Sequence, residues 1–285
     1  MMPHVAIIHK ARTPAALELA RRLQRWLGER GASARLHEAG SSHQDYGPAP
    51  EVELEPDTGL VVVLGGDGTM LGAVRAVVAA GLEQAPILGA NLGGLGFLTA
   101  LSPEELFPAM ERVLAGEFSA PPRLMLRATV HRQGRVLARF NALNDVVINK
   151  AALARIVELA LTVDGRPLTT FRSDGLICAT PTGSTAYNLS AGGPICHPAL
   201  DCMVVTPICS FALSNRPLLL SPEMVVGIEL DHRAQDTTLT CDGQVGLELA
   251  PGDFITIKRS DKTVRLVLSP FRDYFEILRT KLHWG

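Results

Sequence analysis

The sequence predicts an α/β N-terminal domain with a parallel sheet, followed by a mostly β C-terminal domain. Two patterns carry this reading. Up to about residue 119, short apolar runs alternate with segments of helical period. From about 120 to 269, strand-like runs follow one another with turn pairs between them. The boundaries are therefore set at 1–119 and 120–269, with 270–285 read as returning to the first domain.

The elements follow in order. Val5 to Ile8 reads as a first strand. Pro14 to Gly28 carries Ala15, Leu17, Leu19, Leu23, Trp26 and Leu27 at helical spacing. Ala39 to Gly59 is rich in Ser, Gly, Pro and acids, so it should contain an exposed loop. Leu60 to Leu64 is a continuous apolar run, the mark of a parallel strand buried on both faces. Gly65 to Gly68 is a tight turn, and a helix is expected from Met70 to Ala80, ended by Gly81. Pro86 to Gly89 is another buried strand. Ser102-Pro103-Glu104-Glu105 reads as a helix start, with a Ser cap, Pro at the first position and acids in the first turn. Gly116 should stop that helix.

In the second half, Arg127 to His131 and Val136 to Phe140 flank Gln133-Gly134 as a hairpin. Further strands are expected at Asp145 to Ile148, Leu159 to Val163, Gly175 to Cys178, Val225 to Leu230, Thr237 to Cys241, Phe254 to Ile257 and Val264 to Leu268. Asp273 to Leu282 reads as a closing helix.

Composition narrows the function. The chain has 285 residues, 47% hydrophobic and 20% charged, which suits a globular protein with a real core. A net charge of -2 gives no basic field for nucleic acid, and 5% aromatics offers no stacking platform for single strands. No apolar run approaches the ~18 residues of a membrane span, and Met1 to His9 lacks the features of a signal peptide. The five cysteines, Cys178, Cys196, Cys202, Cys209 and Cys241, form no Cys-x-x-Cys, so reduced thiols in a cytoplasmic protein are expected. No metal-ligating set is assigned.

The chemistry concentrates in three segments. The first is strand, Gly65-Gly66-Asp67-Gly68-Thr69, helix. A helix start with glycines suits phosphate. It is neither a Walker A loop nor a dinucleotide fingerprint, since Leu71 stands where the third glycine is required. Asp67 admits two readings. It is an ordinary helix cap, or it orients an attacking hydroxyl or the phosphate's Mg²⁺. The second segment is Asn91-Leu92-Gly93-Gly94-Leu95-Gly96-Phe97, after the next strand and so at the same sheet edge, where open α/β sheets gather ligands. The third is Ser173-Asp174-Gly175 with the hydroxyl-rich run Ala179 to Gly193. Its Ser, Thr and backbone amides suit ribose, amide and phosphate groups; Tyr187 could stack on a base and Asp174 could accept from a ribose or carboxamide. A surface loop with Ser/Thr turns is the plain alternative. Asn144-Asp145 is a polar pair opening a strand. His-Glu-x-x-His, Gly-x-Ser-x-Gly and the protein-kinase motifs are absent.

Taken together these motifs resemble the NAD kinase family, over nearly the whole chain from Leu60 to Leu282. Gly65 to Gly68 alone is shared with lipid kinases and phosphofructokinases. The combination with Asn91 to Thr99, Asn144-Asp145, Ser173 to Pro194 and Asp242-Gly243-Gln244 is specific. Met-Leu-Gly-Ala after the first motif is similar to the Gram-negative bacterial form. The resemblance implies a site between an α/β and a β domain, with Asp67 as proton acceptor for the 2′-hydroxyl of the adenosine ribose of NAD. It implies NAD-binding positions at Asp67, Gly68, Asn144, Asp145, Arg155, Arg172, Asp174, Thr185, Ala186, Tyr187, Asn188, Leu189, Ser190 and Gln244. It further implies a divalent cation such as Mg²⁺, ATP or polyphosphate as donor, a homodimer or homotetramer, and, through Arg172, preference for NAD over NADH. Ser210-Phe211 departs from the Pro-His of many relatives. Lipid or sugar kinase activity and a non-catalytic NADP sensor are the competing readings. The hydroxyl-rich signature disfavours the first, and Asp67 discriminates the second.

Overall fold

The computed structural model describes residues 4–40, 52–150, 156–212, 214–232 and 236–284. Much of the loop expected at 39–59 lies outside them. The chain divides into two units, one built from residues up to 40, 52–122 and 263 onward, and a second from 123–262.

The first unit contains β1 (His4–His9), α1 (Pro14–Gly28), β2 (Ala34–Glu38), β3 (Thr58–Leu64), α2 (Asp67–Ala79), β4 (Pro86–Ala90) and α3 (Leu106–Leu114). The strands pair in parallel in the order β2-β1-β3-β4. Alternation decides what each face covers. Val5, Ile7, Leu60, Val62 and Leu64 pack with Leu19, Leu23 and Leu27 of α1 and Leu106 and Met110 of α3. The intervening Ala6, Ile8, Val61 and Val63 are equally buried, and α2 lies against β1 and β3. Burial on both faces is why these strands lack polar alternation.

Two helix starts differ from expectation. Helix α2 begins at Asp67, with Gly66 as its cap residue, so the acid lies inside the first turn. Helix α3 begins at Leu106 instead of Pro103. Pro108 explains the delay: it has no N–H to give to the carbonyl of Glu104, so the regular ladder opens with Ala109 N–H to Glu105 C=O at 3.0 Å. Ser102 to Glu105 form a turn instead. The Ser102 N–H donates to the Glu105 carboxylate (2.9 Å), and the Ser102 hydroxyl to Glu104.

The second unit contains β5 (Pro122–Arg132), β6 (Arg135–Ala142), β7 (Asp145–Lys150), β8 (Val157–Val163), β9 (Arg166–Ser173), β10 (Gly175–Ala179), a 3-10 turn (Thr182–Thr185), α4 (Tyr187–Ser190), β11 (Met203–Ile208), β12 (Leu218–Leu220), β13 (Val226–Leu230), β14 (Thr237–Cys241), β15 (Val245–Leu249) and β16 (Phe254–Leu266). One run of strands is β6-β5-β16-β13-β8-β9; a separate sheet is β12-β11-β10-β7-β14-β15. Their facing side chains form one core, including Leu126, Ala128, Val146, Ile148, Leu176, Val205, Ile228 and Ile255. The hairpins at Gln133-Gly134 and Asp164-Gly165 use residues with φ between 50° and 75°, the two-residue turn that matches strand twist. The two strands expected at 254–257 and 264–268 are one, β16, joined through a polar stretch from Lys258 to Thr263 in which Ser260 alone is buried.

The closing helix α5 (Tyr274–Leu282) belongs to the first unit. Asp273 and Glu276 form a reciprocal capping box, with both bonds at 2.8 Å. Just before it, Arg272 forks onto Glu105 and donates to the Ala100 carbonyl at 2.8 Å. Replacing Asp273 by Ala should lower unfolding free energy by about 1 kcal/mol, as lost caps do. Urea unfolding of the full chain measures it.

Candidate active site

Asp67 is neither a helix cap nor a free carboxylate. Its Oδ2 accepts the Phe97 N–H (2.9 Å). Its Oδ1 accepts the Leu98 and Thr99 N–H groups (both 3.1 Å) and the Thr99 hydroxyl (2.9 Å). The first glycine turn is thereby bound to the second. Thr99 Oγ1 also accepts from Asn91 Nδ2 (3.0 Å), and Asn91 Oδ1 accepts from the Gly93 N–H (3.0 Å). Gly96 must be glycine for this closure, because a Cβ there would run into the Asp67 carboxylate and Thr99 Oγ1. Three donors fill Oδ1 and one reaches Oδ2. A carboxylate oxygen has two lone pairs, so Oδ2 keeps one acceptor position. Asp67 is half-buried and Gly68 exposed, both at the C-terminal edge of the parallel strands.

In the second unit Asn144-Asp145 opens β7 and Asp242 follows β14, which pairs with β7. The Asp242 carboxylate accepts the N–H groups of Leu143 (3.0 Å), Asn144 (2.7 Å) and Asp145 (3.2 Å). Asp242 returns its own N–H to the Asp145 carbonyl (2.9 Å). Asp145 is buried beside this carboxylate. Burial first, and the Asp242 charge second, push its carboxyl up from 3.8 to about 7, against the pull of a Tyr187 N–H bond. Asn144 Oδ1 is buried and has no hydrogen-bond partner.

The hydroxyl-rich segment is partly a structural device. Thr180 Oγ1 donates to the Leu143 carbonyl (2.6 Å) and accepts the Gly183 N–H (3.0 Å). Ser184 donates to Pro181 and accepts from Cys196 N–H. Asn188 is fully buried: its Nδ2 serves the Ser184 and Pro194 carbonyls, and its Oδ1 accepts from Thr206. Its side chain is thus committed within the fold. Gly183 sits where any Cβ would strike the Asn144 backbone. Tyr187 and Ser190 are exposed, and Thr185, Ala186 and Leu189 half-buried, so these positions do present themselves outward.

The remaining positions lie in the same unit, with Arg172 and Asp174 at the opposite end of the β7–β10 ladder from Asn144-Asp145, since Gly175 pairs with Asn149 and Ala179 with Asp145. Asp174 pairs with Lys150 at 3.4 Å and gives its N–H to Ile208 C=O. Exposed Arg172 pairs with Glu158 at 3.3 Å and lies 5.8 Å from the Phe211 ring centre. The Phe211 N–H reaches the Arg172 carbonyl (2.9 Å), and Ser210 accepts from Asn215, so the Ser-Phe departure builds an aromatic face beside Arg172. Gln244 is half-buried, its N–H turned to the Cys241 carbonyl. Arg155 lies outside the described residues. Sequence reasoning missed Thr99 as partner of Asp67, Asn91 as partner of Thr99, and Lys150 as partner of Asp174. The polar residues bracketing an otherwise Gly/Leu motif were the signal for the first pair.

Asp145 gives a pH signature. Its folded pKa lies above its ordinary value, so the folded state holds the proton more tightly, and this group's contribution to stability falls as pH rises from 3.8 to about 7. Asp145→Asn should flatten that fall and raise the melting temperature at about pH 8. Melting curves of both proteins across the window check it.

Comparison with known proteins identifies the family. Residues 5–118 match the family model of the ATP-NAD kinase N-terminal domain, and residues 143–269 that of the ATP-NAD kinase C-terminal domain. The NAD kinase of Syntrophotalea carbinolica is 50% identical over 291 residues, covering 100% of this chain and 99% of that protein. That of Geotalea daltonii is 49% identical over 285 residues with the same coverage. Among solved structures, yeast NADH kinase complexed with NADH shares the fold, with a TM-score of 0.82 at 24% identity over 100% of this chain and 88% of that one. An Archaeoglobus fulgidus NAD kinase in complex with ATP gives a TM-score of 0.72 at 26% identity, covering 97% and 99%. The chain belongs to the ATP-NAD kinase family.

Proposed function

We infer that this NAD kinase transfers the γ-phosphoryl group of ATP to the 2′-hydroxyl of the adenosine ribose of NAD, giving NADP and ADP. The observation that carries the catalytic assignment is the Asp67 carboxylate. It is fixed by four donors at the start of α2, with one acceptor position left on Oδ2. A hydroxyl donating to that position would be aligned for attack, and Asp67 would take its proton late in the transfer. The helix start and the exposed Gly68 suit the phosphates.

The nucleotide is assigned to Asn144, Asp145, Arg172, Asp174, Thr185, Ala186, Tyr187, Leu189, Ser190 and Gln244. Asn144 Oδ1 supports this, since a buried acceptor without a partner is costly until a donor arrives, and NAD brings an amino and a carboxamide group. Asn188 serves by holding the loop.

Among the described residues no group of three or more His, Cys, Asp or Glu side chains could hold a metal ion. A divalent cation such as Mg²⁺ would be carried on the nucleotide phosphates, where it would neutralise charge. A cytoplasmic location is proposed on the five free thiols. Among the described residues no helix is long and apolar enough to cross a membrane. A homo-oligomer, polyphosphate as an alternative donor and NAD preference over NADH rest on family likeness alone.

Purified protein given ATP, Mg²⁺ and NAD should form NADP, and failure under varied donors and cations would overturn the reading. Asp67→Asn should reduce turnover about 10²-fold or more while NAD still binds. Unchanged turnover in that variant would favour a non-catalytic role for Asp67. Titration of NAD into the variant separates binding from chemistry.

A further inference from the structure

A second concave surface lies in the second unit, on strands that carry none of the proposed NAD contacts. Outward residues of β5 (Arg127, Thr129, His131), β6 (Val136, Arg139) and β16 (Thr256, Lys258) line a cavity of about 360 Å³. Strand alternation places them together. Leu126, Ala128 and Val130 point into the core between the β5 residues, and Ile255 and Ile257 do so between those of β16. Arg139 sits directly opposite Thr129 in the β5–β6 ladder.

The wall is cationic and most of its polar groups are uncommitted. Arg127 pairs with Asp261, the acid that faces this rim. Arg139 and Lys258 have no ion pair or hydrogen bond among the described residues, and the hydroxyls of Thr129 and Thr256 have none either. The His131 ring has an aromatic contact with Phe254, at 6.1 Å between centres, but no hydrogen bond. Arg127, Arg139 and Lys258 against Asp261 leave two positive charges in excess, surrounded by hydroxyl donors. Several cations converging from separate strands match an extended oxyanion better than a single carboxylate does.

We propose that this β5–β6–β16 surface is a second anion site that takes a phosphate chain, either free or carried by a nucleotide. It stands independently of the kinase assignment, since none of its residues belongs to the proposed NAD or Asp67 machinery.

The test is isothermal titration of the full chain with inorganic tripolyphosphate, NADP being present at saturation, beside the Arg139→Ala/Lys258→Ala double variant. The variant should bind tripolyphosphate about tenfold or more weakly, the effect of losing charge-assisted hydrogen bonds. Its melting temperature should be unchanged, and so should its rate of NADP formation in a parallel assay without NADP. A parallel ATP titration identifies the source. Heat that depends on Arg139 and Lys258 with ATP as well as tripolyphosphate makes the chain nucleotide-borne, and heat with tripolyphosphate alone makes it free. Equal affinity and stoichiometry in the wild-type and variant proteins would overturn the proposal, whether or not the protein makes NADP.

Discussion

The hydrogen bonds gathered by Asp67 hold the first unit's functional edge in shape. Each glycine loop alone follows a buried strand and has little side chain to fix it. Joined through one carboxylate to three backbone N–H groups and the Thr99 hydroxyl, they become a single object. The arrangement also explains the local composition. Asp67 must be an acceptor only, and Thr99 must donate to Asp67 while accepting from Asn91. Gly96 must leave room for the carboxylate. Bonds to an ionised group are stronger than neutral ones, so a short loop can be held by few of them.

Asp242 applies the same device in the second unit, collecting three successive N–H groups where β7 begins. Its placement has an electrostatic consequence that Asp67 does not share. A second acid, Asp145, is buried beside it and is pushed to about 7. Two carboxylates at close quarters in a dry setting do not both ionise readily. The Asp242 carboxylate is held by three backbone N–H groups, and Asp145 is left to titrate near neutral pH. The pair therefore divides its work, with Asp242 holding the chain and Asp145 the group whose charge can respond to what binds.

The fold was largely legible because burial on both faces removes polar alternation. The runs at Val5 to Ile8, Leu60 to Leu64 and Pro86 to Gly89 are strands, and α1 spans Pro14–Gly28 as its spacing implies. What escaped did so for local reasons. Among the described residues β2 pairs only with β1, and it reads Ala-Arg-Leu-His-Glu, too polar for an apolar-run criterion. β11 contains Pro207, which argues against a strand; yet the neighbouring β12 pairs only with Met203 to Val205, so the missing N–H falls beyond that partner. Pro108 shifted α3, and the polar run from Lys258 to Lys262 hid the continuity of β16.

The candidate site was legible as a set of motifs and less so as a set of contacts. Composition marked Thr180 to Gly193 as rich in hydrogen-bonding groups, which suggested that they meet a ligand. Many meet one another instead. Thr180, Ser184 and Asn188 are consumed inside the unit, and Tyr187 and Ser190 remain exposed. Sequence cannot separate these roles, because a hydroxyl that shapes a loop and one that binds ribose are the same residue type. The division has a physical basis. A segment with two short helical turns and little apolar surface can present a fixed outer face only if its inner polar groups are satisfied first. The residues committed inside the unit are then what holds the outer face of their neighbours in a fixed shape.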